Sequence, residues 1–98
     1  MLPQKPSKRA PSREDAEALA AQAFAYLAAE PERIGRFLSL TGLTPEAVRR
    51  AAGDPAFLPS VLDYLLSDEA LLVAFAAENG TGPEAVARAR HALGGAER

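Results

Sequence analysis

Cysteine is absent from this chain, which excludes disulfides, thiolate metal sites and cysteine nucleophiles. A cysteine-free composition also fits a reducing cytoplasm. No apolar run approaches the ~20 residues that a membrane span requires. The basic start MLPQKPSKRAPS leads into no apolar stretch, so no signal peptide is expected and a cytoplasmic location is. The sequence has no Gly-rich phosphate loop, no HExxH and no GxSxG. No cofactor, metal or catalytic residue is therefore expected. Histidine occurs once, as His91 near the end of a helix, where a cation suits the dipole. No carboxylate or nucleophile is tied to it by spacing, and general acid–base work needs a positioned partner. Aromatic residues make up 6% of the chain and β-branched residues are few, which favours helix over strand.

What is present is alanine, leucine and charge. The 98 residues are one domain's worth of chain, of a size that buries roughly 60 to 65% of its unfolded surface. The net charge of −2 hides an asymmetry. Lys5, Lys8, Arg9 and Arg13 give the first thirteen residues +4, and the rest carries seven basic against thirteen acidic residues, a net −6. Such a body repels phosphate backbones, so nucleic acid is disfavoured as a partner. Four cations interleaved with Pro3, Pro6 and Pro11 read as a disordered basic tail over residues 1–11.

The largest apolar side chains gather between Asp54 and Gly80, in Phe57, Leu58, Val61, Leu62, Leu65 and Leu66 and then Leu71, Leu72, Val73 and Phe75. Their spacing predicts a helical hairpin whose arms bury most of their surface. Around it, local signals predict further helices. Ser12 is an N-cap for a helix over about Arg13 to Ala29, with Ala16, Ala20, Ala23, Phe24 and Leu27 facing inward and Leu19 and Tyr26 at the margins. Pro31 to Thr41 follows, packing through Ile34, Phe37, Leu38 and Thr41 with Arg33, Arg36 and Ser39 outward, and ending at Gly42. Thr44 caps a third helix that ends near Gly53, with Leu43 and Val48 as a hydrophobic staple. A fourth starts at Asp54-Pro55, where Pro59 implies either a loose turn first or a kink. Ser67 is expected to cap a fifth, closed by Asn79-Gly80. The sixth covers Pro83 to Leu93 and stops at Gly94-Gly95, after which the last residues should fray.

Shifting the sequence by 38 positions aligns it with itself. Tyr26-Leu27 falls on Tyr64-Leu65, Phe37 on Phe75, Gly42 on Gly80 and Pro45-Glu46-Ala47-Val48 on Pro83-Glu84-Ala85-Val86. The match proposes two three-helix halves; convergent use of one good turn between alanine-rich helices is the other explanation.

Functional signals are sparse. Asp63, Asp68 and Glu69 lie close in sequence, but a helix cap and first turn account for Asp68 and Glu69 without a metal. Tyr26 and Tyr64 occupy equivalent repeat positions, either sealing the core edge with the hydroxyl in water or flanking one partner groove. The segment Leu38 to Ala52, LSLTGLTPEAVRRAA, resembles the helix-turn-helix of bacterial repressors through Thr41, Gly42, Leu43, Thr44, Val48, Arg50 and Ala51. Such a helix reads bases with its N-terminal residues, which here are Thr44, Pro45 and Glu46; only Arg49 and Arg50 help. DNA binding is thus the alternative function, and a low-salt titration against random duplex discriminates it.

Taken together, AFAYLAAEPERIGRFLSLTGL, DPAF and VLDYLLSDEALLVAF resemble a family of small alphaproteobacterial proteins described as a domain of unknown function. The resemblance covers roughly Ala16 to Gly95, with Pro59 departing from the small residues common there. It implies a bacterial, soluble, helical protein and carries over no catalytic or binding residue. The expectation is a compact all-α orthogonal bundle of five to six short helices over residues 12–95. Its expected role is a non-enzymatic protein-interaction or adaptor module of a bacterial cytoplasm, whose partner is another protein or a second copy in a homodimer. The motivation is the apolar character of nearly every side of the fifth helix. Tyr26, Tyr64, Arg49 and Arg50 are the candidate partner-binding residues.

Overall fold

Ser12 and Asp15 begin the first helix by satisfying each other's backbone. Ser12 Oγ accepts from the Asp15 N–H at 2.9 Å and the Asp15 carboxylate accepts from the Ser12 N–H at 3.4 Å, so the box caps two otherwise orphaned donors. Helix α1 then runs over Arg13–Ala28, in a computed structural model that describes residues 11–51 and 53–94. The expected tail lies outside the described residues apart from half-buried Pro11, and the expected fraying beyond Gly94 lies outside them as well.

Five more helices follow: α2 Pro31–Thr41, α3 Pro45–Ala51, α4 Phe57–Leu66, α5 Glu69–Asn79 and α6 Pro83–Leu93. No strand occurs among the described residues, and the fold is an all-α globule. Prolines at the starts of α2, α3 and α6 sit where a missing N–H costs nothing. Gly42 and Gly80 end α2 and α5 with φ of 77° and 70°, a left-handed geometry that glycine adopts without strain.

Pro59 does not begin α4, which starts two residues earlier at Phe57. Asp54 Oδ1 accepts from the Ala56 N–H at 2.9 Å and the Asp54 carbonyl accepts from the Phe57 N–H at 3.0 Å, making one turn ahead of the helix. Pro59 is then the third residue of α4, one of the first four positions, where an N–H would have no intrahelical acceptor and proline's lack of one costs no hydrogen bond. Nor is Ser67 the cap of α5. Its hydroxyl turns back to donate to the Tyr64 carbonyl at 2.7 Å, and Asp68 is the N-cap, its Oδ1 accepting from the Leu71 N–H at 3.1 Å. A carboxylate there both accepts the bond and meets the positive end of the dipole.

Helix α1 is the axis of the packing, touching α2, α4 and α6, while α5 lies on α4 and α6. Ala16, Ala20 and Ala23 are completely buried, and their short side chains let α4 and α6 approach closely. Phe37, Phe75, Leu27, Leu62, Leu65, Val61 and Val86 are the largest side chains excluded from water. Thr41, expected to pack inward, is exposed; its hydroxyl donates to the Phe37 carbonyl at 2.7 Å. Arg33, expected to point away, folds over Tyr26 with its guanidinium carbon 3.9 Å from the ring centroid. The outer side of α5 is not buried either: Ala70, Val73, Ala74 and Ala77 are exposed.

The aromatic core is made of edge-to-face pairs. Tyr26 meets Phe75 at 5.5 Å between centroids, and Phe37 meets Tyr64 at 5.1 Å. These contacts are exchanged by the 38-residue shift, each tyrosine packing on the phenylalanine of the opposite half. The third helices do not follow suit. α6 packs on α1, α4 and α5, whereas α3 has no comparably extensive partner and buries no residue completely.

Candidate docking groove

The loop between α2 and α3 is set by local bonds, and the loop and α3 reach the core through partly buried Leu43, Val48 and Ala51. Gly42 turns the chain in its left-handed conformation, and Thr41 Oγ1 accepts from the Leu43 N–H at 3.4 Å. Thr44 Oγ1 then accepts from the Ala47 N–H at 3.0 Å and starts α3. Only seven residues later α3 ends. Leu43 and Val48, the expected staple, are both half-buried.

The space left beside α3 is an open groove of about 560 Å³ lined by Phe24, Ile34, Leu38, Pro45, Val48 and Arg49. Its walls come from three helices, α1, α2 and α3. All the lining is apolar except Arg49, and Phe24, Ile34, Leu38 and Val48 are half-buried rather than sealed. Residues 31–51 carry Arg33, Arg36, Arg49 and Arg50 against Glu32 and Glu46, a net +2, while the rest of the body after Arg13 carries three basic and eleven acidic residues. Arg49 is the charged residue that lines the groove; helical spacing puts Arg36 and Arg50 on the far sides of α2 and α3 from Leu38 and Val48, and Arg33 is held over Tyr26. An apolar trough with an arginine at its edge suits an apolar helix edged by carboxylates.

Of the residues singled out from the sequence, Arg49 lines this groove and Arg50 is exposed on the same helix. Tyr26 and Tyr64 are not among its lining residues. Tyr64 is only 9% exposed, and Tyr26 lies between Phe75 and Arg33, whose Nη1 donates to the Tyr26 carbonyl at 2.7 Å. Phe24, Ile34 and Leu38 have the spacing of core residues, and nothing in the sequence alone marks them as lining a groove. Their counterparts by the shift are Leu62, Leu72 and Ala76, two of which are buried to within 2%.

Elsewhere, several charged groups are occupied in holding the fold. A recess of about 420 Å³ contains Arg13, Asp54, Asp63 and Arg90. Arg90 Nε donates to Asp63 Oδ1 and its Nη1 to the Gly94 carbonyl, both at 2.7 Å, tying α6 to α4. Arg13 donates to the Leu93 carbonyl at 3.3 Å and pairs with Glu17. His91 is exposed, in a shallow recess lined by Pro11, Ala87, Arg88 and Ala92, with no carboxylate among the described residues that line it. Asp68 serves its cap and Asp63 its arginine, and the described residues hold no group of three or more His, Asp or Glu arranged for a metal. No helix among them is long and apolar enough to cross a membrane.

These features define a small all-α domain with a surface groove. The chain belongs to a family described as a protein of unknown function, DUF3572, which it matches over residues 13–96. That span takes in all six helices and the groove. No curated protein and no solved structure matches it.

Proposed function

We propose that this protein is a non-enzymatic protein-interaction module of a bacterial cytoplasm, alphaproteobacterial in range, which takes an apolar helix into the groove beside α3. The observation that carries this reading is the groove itself: four large, half-buried apolar side chains in one trough next to a helix that buries no residue of its own. Concave, mostly apolar clefts with a polar group at the edge are the usual form of a binding site. The exchanged Tyr26–Phe75 and Phe37–Tyr64 contacts support a duplication with a pseudo-two-fold axis, because such an axis makes each contact occur twice. In that frame, α3 is the member of its pair that was left for a partner to cover. The helix-turn-helix alternative has less behind it, since α3 offers Pro45 and Glu46 at the end that would read bases.

Photo-crosslinking tests the reading. A benzophenone side chain placed at Leu38 should yield a covalent protein adduct in cells, and the same group at Ala87 on α6 should not. Absence of any adduct from Leu38 and Val48 alike sinks the proposal.

A further inference from the structure

Resting on that reading of the groove, we propose that its occupant is the outer face of α5 from a second copy of this chain. Val73 and Leu40 are the large apolar side chains that stand exposed among the described residues, at 49% and 64%. Leu40 is displaced around α2 from Ile34 and Leu38 by its helical position, so it lies off the groove. Val73 is different. It sits in a continuous exposed face with Ala70, Ala74 and Ala77, and at 100° per residue Glu69 and Glu78 fall on the two edges of that face. The chain therefore carries both halves of one interface: a cationic apolar trough around Val48 and Arg49, and an apolar helix face between two carboxylates.

Charge selects this pairing over the others. A groove set against its own copy would bring Arg49 toward the same arginine of the partner, and two α5 faces would set carboxylates together. Groove against α5 places each sign opposite the other. In a two-fold dimer the contact occurs twice, the groove of each copy receiving α5 of the other. The alanines matter for shape, since small side chains around Val73 let the helix backbone sink toward the floor formed by Leu38 and Val48.

Sedimentation equilibrium of the full chain, from ~1 μM to ~1 mM, provides the test. Reversible self-association is expected, weakened about tenfold or more by Val73→Glu, which buries a charge at the centre of the contact. Arg49→Glu and the pair Glu69→Arg with Glu78→Arg should each weaken it several-fold, and combining them should recover most of the loss. Val73, Arg49, Glu69 and Glu78 are all exposed, so folded variants are expected, with circular dichroism as the check. A monomer throughout the range overturns the proposal, and so does association that ignores Val73→Glu and Arg49→Glu. Crosslinking from Leu38 separates this failure from the earlier one: a heterologous adduct from a monomeric protein removes the second copy but leaves the groove as a docking site.

Discussion

Helices α3 and α6 open with the same four residues, Pro-Glu-Ala-Val, yet one is peripheral and the other central. α6 buries Val86, Ala89 and Leu93 to within 6% exposure, and α3 buries none of its residues completely. The difference comes after the shared start. α6 continues for eleven residues and presents apolar side chains at helical spacing, which lets it fill the angle between α1 and α4. α3 reaches Arg49 where α6 has Ala87, and the position matching Leu93 is Pro55. Gly53, Asp54 and Pro55 stop the helix before a second apolar turn can form. A shared motif thus fixes how a helix begins, and the residues beyond it decide whether the helix has enough apolar face to stay on the core.

The largest expected contrast is between the two valines. Val86→Ala removes two buried methyl groups and should cost about 2 kcal/mol in urea unfolding, while Val48→Ala, at a half-buried site, should cost less than about 1 kcal/mol. Equal losses would mean that α3 is as well packed as α6. The two C-terminal glycines should instead behave alike. Gly42→Ala and Gly80→Ala force an alanine into the left-handed region at equivalent positions, and each should destabilise by about 1 kcal/mol in the same experiment. A smaller contrast separates the N-caps of α2 and α5. Asp68→Ala should cost about 0.5 to 1 kcal/mol, and Glu30→Ala, whose side chain makes no capping bond, should leave the midpoint unchanged.

Most helix boundaries were legible because they are set by residues next to one another. Ser12 with Asp15, Pro31 with Gly42, and Pro83 with Gly94 mark their helices by local hydrogen bonds and backbone preference, which need no knowledge of the fold. The inward alanines of α1 were equally legible from their spacing. Sequence alone places the junction of α4 and α5 one residue early, because Ser67 and Asp68 are both good caps. Which of them faces the free N–H groups depends on how the two helices meet. The site was less legible than the fold. Phe24, Ile34 and Leu38 have the same pattern as core residues, and only the position of α3 tells a groove from a core.

The sequence by itself therefore determined an all-α chain, the ends of most of its helices, and a self-similar order in which Tyr26 and Phe37 answer to Tyr64 and Phe75. Tertiary structure decided that these aromatics pair across the halves, that Arg33 closes over Tyr26, and that α6 rather than α3 covers the core. The physical reason is one of range. Caps, prolines and left-handed glycines act within a turn of the chain, whereas burial is a competition among all six helices for the same apolar surface. Helix α1, with its alanine face, has room for α4 and α6 against it, and α3 is left beside the groove.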